Sequence, residues 1–153
     1  MKRFIAFVVV MVYAFLPSSA PAQEHWTEGP VRQVSTYRTK PGKFDDYMKY
    51  LRANFLPTQE EAKKQGLIVD FQVLVKTPQN SEDWDIGIVI VHQSFGKALD
   101  FNQGDTDKMK AIAAKHYGTP DEEKQRETAA KRLDMRDYIG TNYLRVVNLR
   151  PMK

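Results

Sequence analysis

The run VSTYRTKPGKFDDYMKYL, residues 34–51, decides the fold. Its first part belongs to VRQVSTYR, residues 31–38, a stretch rich in β-branched and aromatic residues that predicts a strand. Pro41-Gly42 stops that strand. Beyond it, Phe44, Tyr47, Met48, Leu51 and Phe55 recur at i, i+3, i+4, i+7 and i+11, the apolar stripe of an amphipathic helix. Asp45 and Asp46 suit that helix's N-terminus, and Lys40 and Lys43 are expected in solvent. Pro57 falls inside the stripe and predicts a kink. The helix resumes through TQEEAKKQ and closes at Gly66.

Outward from this corner the chain alternates types. LIVDFQVLVK, 67–76, reads as a strand with Leu67, Val69, Phe71, Val73 and Val75 on one face. Ile68, Asp70, Gln72, Leu74 and Lys76 take the other. A polar loop leads to WDIGIVIVH, 84–92, so the two strands form an antiparallel hairpin. Helical material follows: a short turn at 94–101, then a helix capped by Asp105 or Thr106 and closed by Gly118. Thr119-Pro120-Asp121-Glu122 fits a capping box for a third helix reaching about residue 139. Its run DEEKQRETAAKR mixes charges as a solvated face does. TNYLRVVNL, 141–149, is the last strand. The order predicts an α+β, ferredoxin-like βαββαβ fold: a four-stranded antiparallel sheet with an extended helical insert, 94–139, before the last strand. Helices cover one face of such a sheet. The bare face would expose several of Val31, Phe71, Ile88, Val147 or their alternates, which predicts a homodimer closed face to face.

The ends and the charge set further bounds. Lys2 and Arg3 precede an apolar run from Phe4 to Leu16, and Ala20-Pro21-Ala22 supplies small residues before Gln23. This predicts a signal peptide over 1–22, cleaved after Ala22. The apolar run is short of the ~20 residues a spanning helix needs. The expected location is therefore periplasmic or secreted, with no membrane association after cleavage. Residues 23–30 read as a flexible arm and 31–150 as a single domain. Removing Lys2 and Arg3 lowers the formal charge from +4 to +2, a balance that excludes nucleic acid as a partner on composition. The chain has no cysteine, which rules out disulfides and thiol chemistry.

The run YRTKPGKFDDYMKYL, the later Pro57, a strand ending in IVIVHQSF and a helical tail closing on a strand together resemble the dimeric α+β barrel superfamily. The start is similar to NIPSNAP-type and antibiotic-biosynthesis-monooxygenase-like domains, where a strand runs into a Lys-Pro-Gly-Lys corner. FGKALDF, KHYGT and KRLDMRDYIG resemble uncharacterised secreted bacterial members of the group. The likeness spans most of 31–149 and implies a fold that hosts oxygenases, isomerases, haem proteins and non-catalytic binders.

Asp70 and Gln72 interrupt an apolar strand. Tyr143 and Arg145 share a face of the last strand, and Gln33, Ser35 and Tyr37 share a face of the first. If the apolar faces pack on the helices, these polar sets look into the space between two sheets. Tyr37, Gln72, Tyr143 and Arg145 then line a cavity for a small apolar or aromatic molecule, with Asp70 paired to Arg145. A second reading makes the same residues fix the dimer register. His92 closes an apolar strand, either as a packing residue or in the pocket. The resemblance implies an alternative: cofactor-independent monooxygenation or isomerisation with His92 or Asp70 as general base. It also implies a lesser one, haem held by His116, which otherwise suits its helix's C-terminus. His25 lies in the arm. No residue set has metal-ligand spacing, and no nucleophile elbow, phosphate loop or dinucleotide fingerprint is present.

Overall fold

The computed structural model describes residues 25–152. The expected signal peptide lies outside the described residues. Among the described residues, no helix is long and apolar enough to cross a membrane.

The Pro-Gly corner forms as a tight turn. The Lys43 N–H donates to the Lys40 carbonyl at 2.9 Å, and Gly42 sits at φ 72°. That is a type II turn, with proline and then glycine at its centre because only glycine takes positive φ without cost. The turn joins β1 (Trp26–Thr39) to α1 (Phe44–Tyr50). Tyr47 and Leu51 are buried from the helical stripe, while Phe44 is 37% exposed. The kink expected at Pro57 is a π-helical turn, Leu51–Phe55, leading into α2 (Leu56–Lys64). A proline ring clashes with the carbonyl four residues back and cannot donate to it. Widening the preceding turn avoids the clash, and the Leu56 N–H reaches the Leu51 carbonyl. The Thr58 hydroxyl lies 2.9 Å from the Asn54 carbonyl and 2.8 Å from that of Phe55, so it caps the loosened backbone.

β2 (Asp70–Val75) and β3 (Ile86–His92) form the expected antiparallel hairpin. Then come α3 (Phe95–Leu99), α4 (Gln103–Tyr117), α5 (Glu122–Ala130), a 3-10 turn (Lys131–Asp134) and β4 (Arg136–Leu149). The sheet order is β2-β3-β1-β4, every pair antiparallel. This is an α+β architecture with an open four-stranded sheet, compatible with the ferredoxin-like fold. The core is Tyr47, Leu51, Ile86 and Ile88, flanked by Tyr37, Met48, Phe55, Val73 and Ile90.

Several boundaries differ from the sequence reading. Residues 26–30 are not a free arm: Trp26, Thr27 and Glu28 pair with Leu149, Asn148 and Val147. The last strand begins at Arg136, not 141, because Arg136, Asp137 and Tyr138 pair with Thr39, Arg38 and Tyr37. Gly140 therefore lies within a strand, opposite Thr36, at a register shift. Long-range pairing here outweighs a local helical pattern. Caps shift too. Asn102 caps α4 and Asp121 caps α5, accepting from the Glu123 and Lys124 N–H groups. Gly118 ends α4 at φ 68°, as expected. Lys40 is less free than expected, its Nζ donating to the Leu133 carbonyl at 2.9 Å.

Candidate functional site

Antiparallel pairing places partner residues on one side of the sheet. Four rows follow along the helix-covered side: His92–Val31–Arg145, Ile90–Gln33–Tyr143, Ile88–Ser35–Thr141 and Ile86–Tyr37–Tyr138. The large isoleucines of β3 face the helices, while Gly87, Val89 and Val91 face away. Register then carries Gln33, Ser35, Tyr37, Tyr143 and Arg145 to the helix side as well. They do not look into a space between two sheets, as the sequence reading expected. Because β3 is apolar on both faces, β1 and β4 cannot choose their own orientation. They follow β3.

Most polar groups on this side satisfy one another, with the buried Arg145 Nε and His92 Nδ1 as exceptions. The Ser35 and Thr141 hydroxyls are 2.8 Å apart, and the Tyr138 hydroxyl donates to Thr141 Oγ1 at 2.9 Å. His92 Nε2 lies 3.2 Å from Gln33 Oε1. With Gln33 presenting its oxygen, the Nε2–H tautomer donates and Nδ1 carries the lone pair. That Nδ1 is buried and has no partner among the described residues. Burial pushes the His92 pKa below its ordinary value, which keeps the ring neutral.

His92 and Ile90 form the floor of a cavity of about 450 Å³ between β3, α2 and the α3–α4 segment. Leu67, Ile68, Phe101 and Met109 supply apolar walls, and Gln59 and Asn102 supply amides. Lys97 and Asp105 also line it, and they neutralise each other at 2.7 Å. Asp100 and Thr106 complete the lining. Apolar walls beside such polar groups suit a small molecule with an apolar body and a polar substituent.

Asp70 and Gln72 pair with Val91 and Val89 and so lie on the open face, away from this cavity. The expected Asp70–Arg145 pair does not form. Asp70 is bound by Lys63 Nζ at 2.7 Å. That hydrogen bond, then the Phe71 N–H, holds its carboxyl below the usual range. A half-exposed, stabilised carboxylate is a poor proton acceptor at neutral pH. Arg145 pairs instead with Glu28 and lies over the Phe95 ring at 4.7 Å. Tyr37 packs against Tyr47 and Tyr138 beneath the Arg136 guanidinium, and Tyr143 is partly exposed on β4. The structure therefore does not gather the expected residues at one point. His116 Nε2 is 3.2 Å from Asn54 Oδ1, across the α4 and π-turn contact. Among the described residues, no three His, Cys, Asp or Glu gather to hold a metal ion.

A second group escaped sequence reasoning: Tyr47, Tyr50, Tyr117, Arg132 and Arg136, which share a smaller hollow. Tyr47 reads as part of a helix stripe and the arginines as part of a charged helix, while Tyr50 and Tyr117 carry no signal of their own. Arg132 and Arg136, four apart in KRLDMR, were the available signal, but nothing local shows them meeting α1. Comparison with protein-family models, curated proteins and solved structures finds no match.

Proposed function

We propose that the protein binds a small apolar or aromatic molecule in the cavity floored by Ile90 and His92, on the helix side of the sheet rather than between sheets. One observation carries this: a hollow of about 450 Å³ whose apolar walls, Leu67, Ile68, Phe101 and Met109, stand over Ile90 and a neutral His92. The ligand would set its apolar body on Ile68, Phe101 and Met109. Native mass spectrometry of protein purified from its own compartment tests the reading. Wild type should retain a small molecule that Met109→Trp, which fills the mouth, releases. A Met109→Trp variant retaining the same mass refutes it.

The reading includes a dimeric α+β barrel exported by its signal peptide. The open sheet face supports pairing with a second copy. There Val34, Leu74, Leu144 and Val146 alternate with Arg32, Gln72 and Asn142, and Leu74 and Leu144 are 40% and 54% exposed. A catalytic reading, general-base chemistry at His92, is favoured by its free, uncharged Nδ1. That atom has no solvent contact, so a substrate proton reaches it only if the cavity wall opens. Asp70, on the other face, takes no part in this reading.

A further inference from the structure

Beside the His92 cavity, and sharing only Gln59 with it, lies a hollow of about 160 Å³ between α1, the π-turn, the end of α4 and the start of β4. Arg132 and Arg136 both line it. None of the ion pairs among the described residues engages either arginine. Arg136 is half-buried. Its guanidinium carbon lies 3.4 Å from the Tyr37 ring centroid and 4.9 Å from that of Tyr47. Its Nη1 donates to the Tyr47 hydroxyl. Aromatic faces and a phenol stabilise a guanidinium without cancelling its charge. A partly desolvated cation with no counter-charge is costly, and an anion would relieve that cost.

The other groups at the hollow are suited to donate. The Tyr47 hydroxyl, having accepted from Arg136, keeps its own proton to give. Burial raises its pKa well above the ordinary tyrosine value, so that proton stays in place at neutral pH. Burial raises Tyr117 as well, but its hydroxyl is engaged with Tyr50. Leu51, Phe55 and Ile88 add apolar surface, and Asn54, Thr58 and Gln59 line the rest.

We propose that this hollow binds a small carboxylic acid with a flat, apolar body. The carboxylate is held by Arg132, Arg136 and the Tyr47 hydroxyl, and the body rests on Phe55 and Ile88. Guanidinium forks match the two oxygens of a carboxylate. A phosphate fits less well: Asn54 and Thr58 already donate to backbone carbonyls, which leaves chiefly the Gln59 amide for its further oxygens.

Isothermal titration of the full mature chain tests this with benzoate, its neutral analogue benzamide, and inorganic phosphate. Benzoate should bind at least about tenfold more tightly than benzamide. Arg132→Gln should weaken benzoate by about tenfold, with unchanged circular dichroism. Arg132 is exposed at the rim, so its loss spares the core, whereas Arg136→Gln also strips the Tyr37 stack. His92→Ala should leave benzoate binding intact, which separates this site from the neighbouring cavity. Equal binding of benzoate and benzamide, or an Arg132→Gln affinity equal to wild type, overturns the proposal. Phosphate binding tighter than benzoate overturns the assignment to a carboxylate.

Discussion

Asp85 is buried just before β3, and its carboxylate holds the end of β1. Oδ1 accepts from the Thr39 N–H at 2.9 Å, and Oδ2 accepts from the Thr39 hydroxyl. Thr39 is buried and is the β-partner of Arg136. The clamp therefore sets the strand that carries Arg136 to the cationic hollow. Asp85→Ala leaves two buried donors on Thr39 unsatisfied, at about 1–3 kcal/mol each, for a loss of roughly 2–6 kcal/mol. Asp85→Asn keeps one oxygen for the Thr39 N–H, and the Thr39 hydroxyl can rotate to accept from the new amide. Only the charge assistance is lost, about 1 kcal/mol per bond, for roughly 2 kcal/mol. In the Asp85→Ala background, Thr39→Val removes one stranded donor and should return about 1 kcal/mol or more. Urea unfolding followed by the fluorescence of Trp26 and Trp84 measures all four proteins. Equal losses for the Ala and Asn variants, or a Thr39→Val change that adds its own full cost, would refute the clamp.

Two further outcomes follow from the buried tyrosine and the open face. Tyr47 has its pKa raised chiefly by burial, partly offset by Arg136. The native state then holds a proton that the unfolded chain loses above about pH 10, so stability is full below that pH and falls as pH rises through it. Tyr47→Phe should flatten much of this alkaline slope in pH-dependent unfolding, Tyr117 keeping a smaller part. An unchanged slope would remove Tyr47 as its source. On the open face, Leu144→Lys should convert a micromolar dimer to monomer in sedimentation equilibrium while leaving the fold intact, and a wild-type monomer would end the barrel reading.

Local chemistry alone determined much of this protein. Pro41-Gly42 dictates a type II corner in any context, since proline presets one dihedral and glycine alone accepts the next. The i, i+3, i+4 stripe dictates that Tyr47 and Leu51 face a sheet, and strict alternation pairs off the two faces of β2. Pro57 marks the helix distortion, although its π-turn form depends on how Leu51 to Thr58 rearrange their bonds. Those signals are short-range, and a sequence displays them directly. Which face of each strand meets the helices is another matter. IGIVIVH is apolar on both sides, so its pattern contains no orientation. Only the fit of Ile86 and Ile88 against Tyr47 and Leu51 chose one, and register then carried Gln33, Tyr143 and Arg145 to that side and left Asp70 on the other. The same holds for Arg136. Its segment reads locally as the end of a charged helix, yet pairing with Thr39 makes it a strand and sets its guanidinium over Tyr37 and Tyr47. Partners far apart in the chain decide both outcomes, about 40 residues in the first case and about 100 in the second, and no local pattern encodes either meeting.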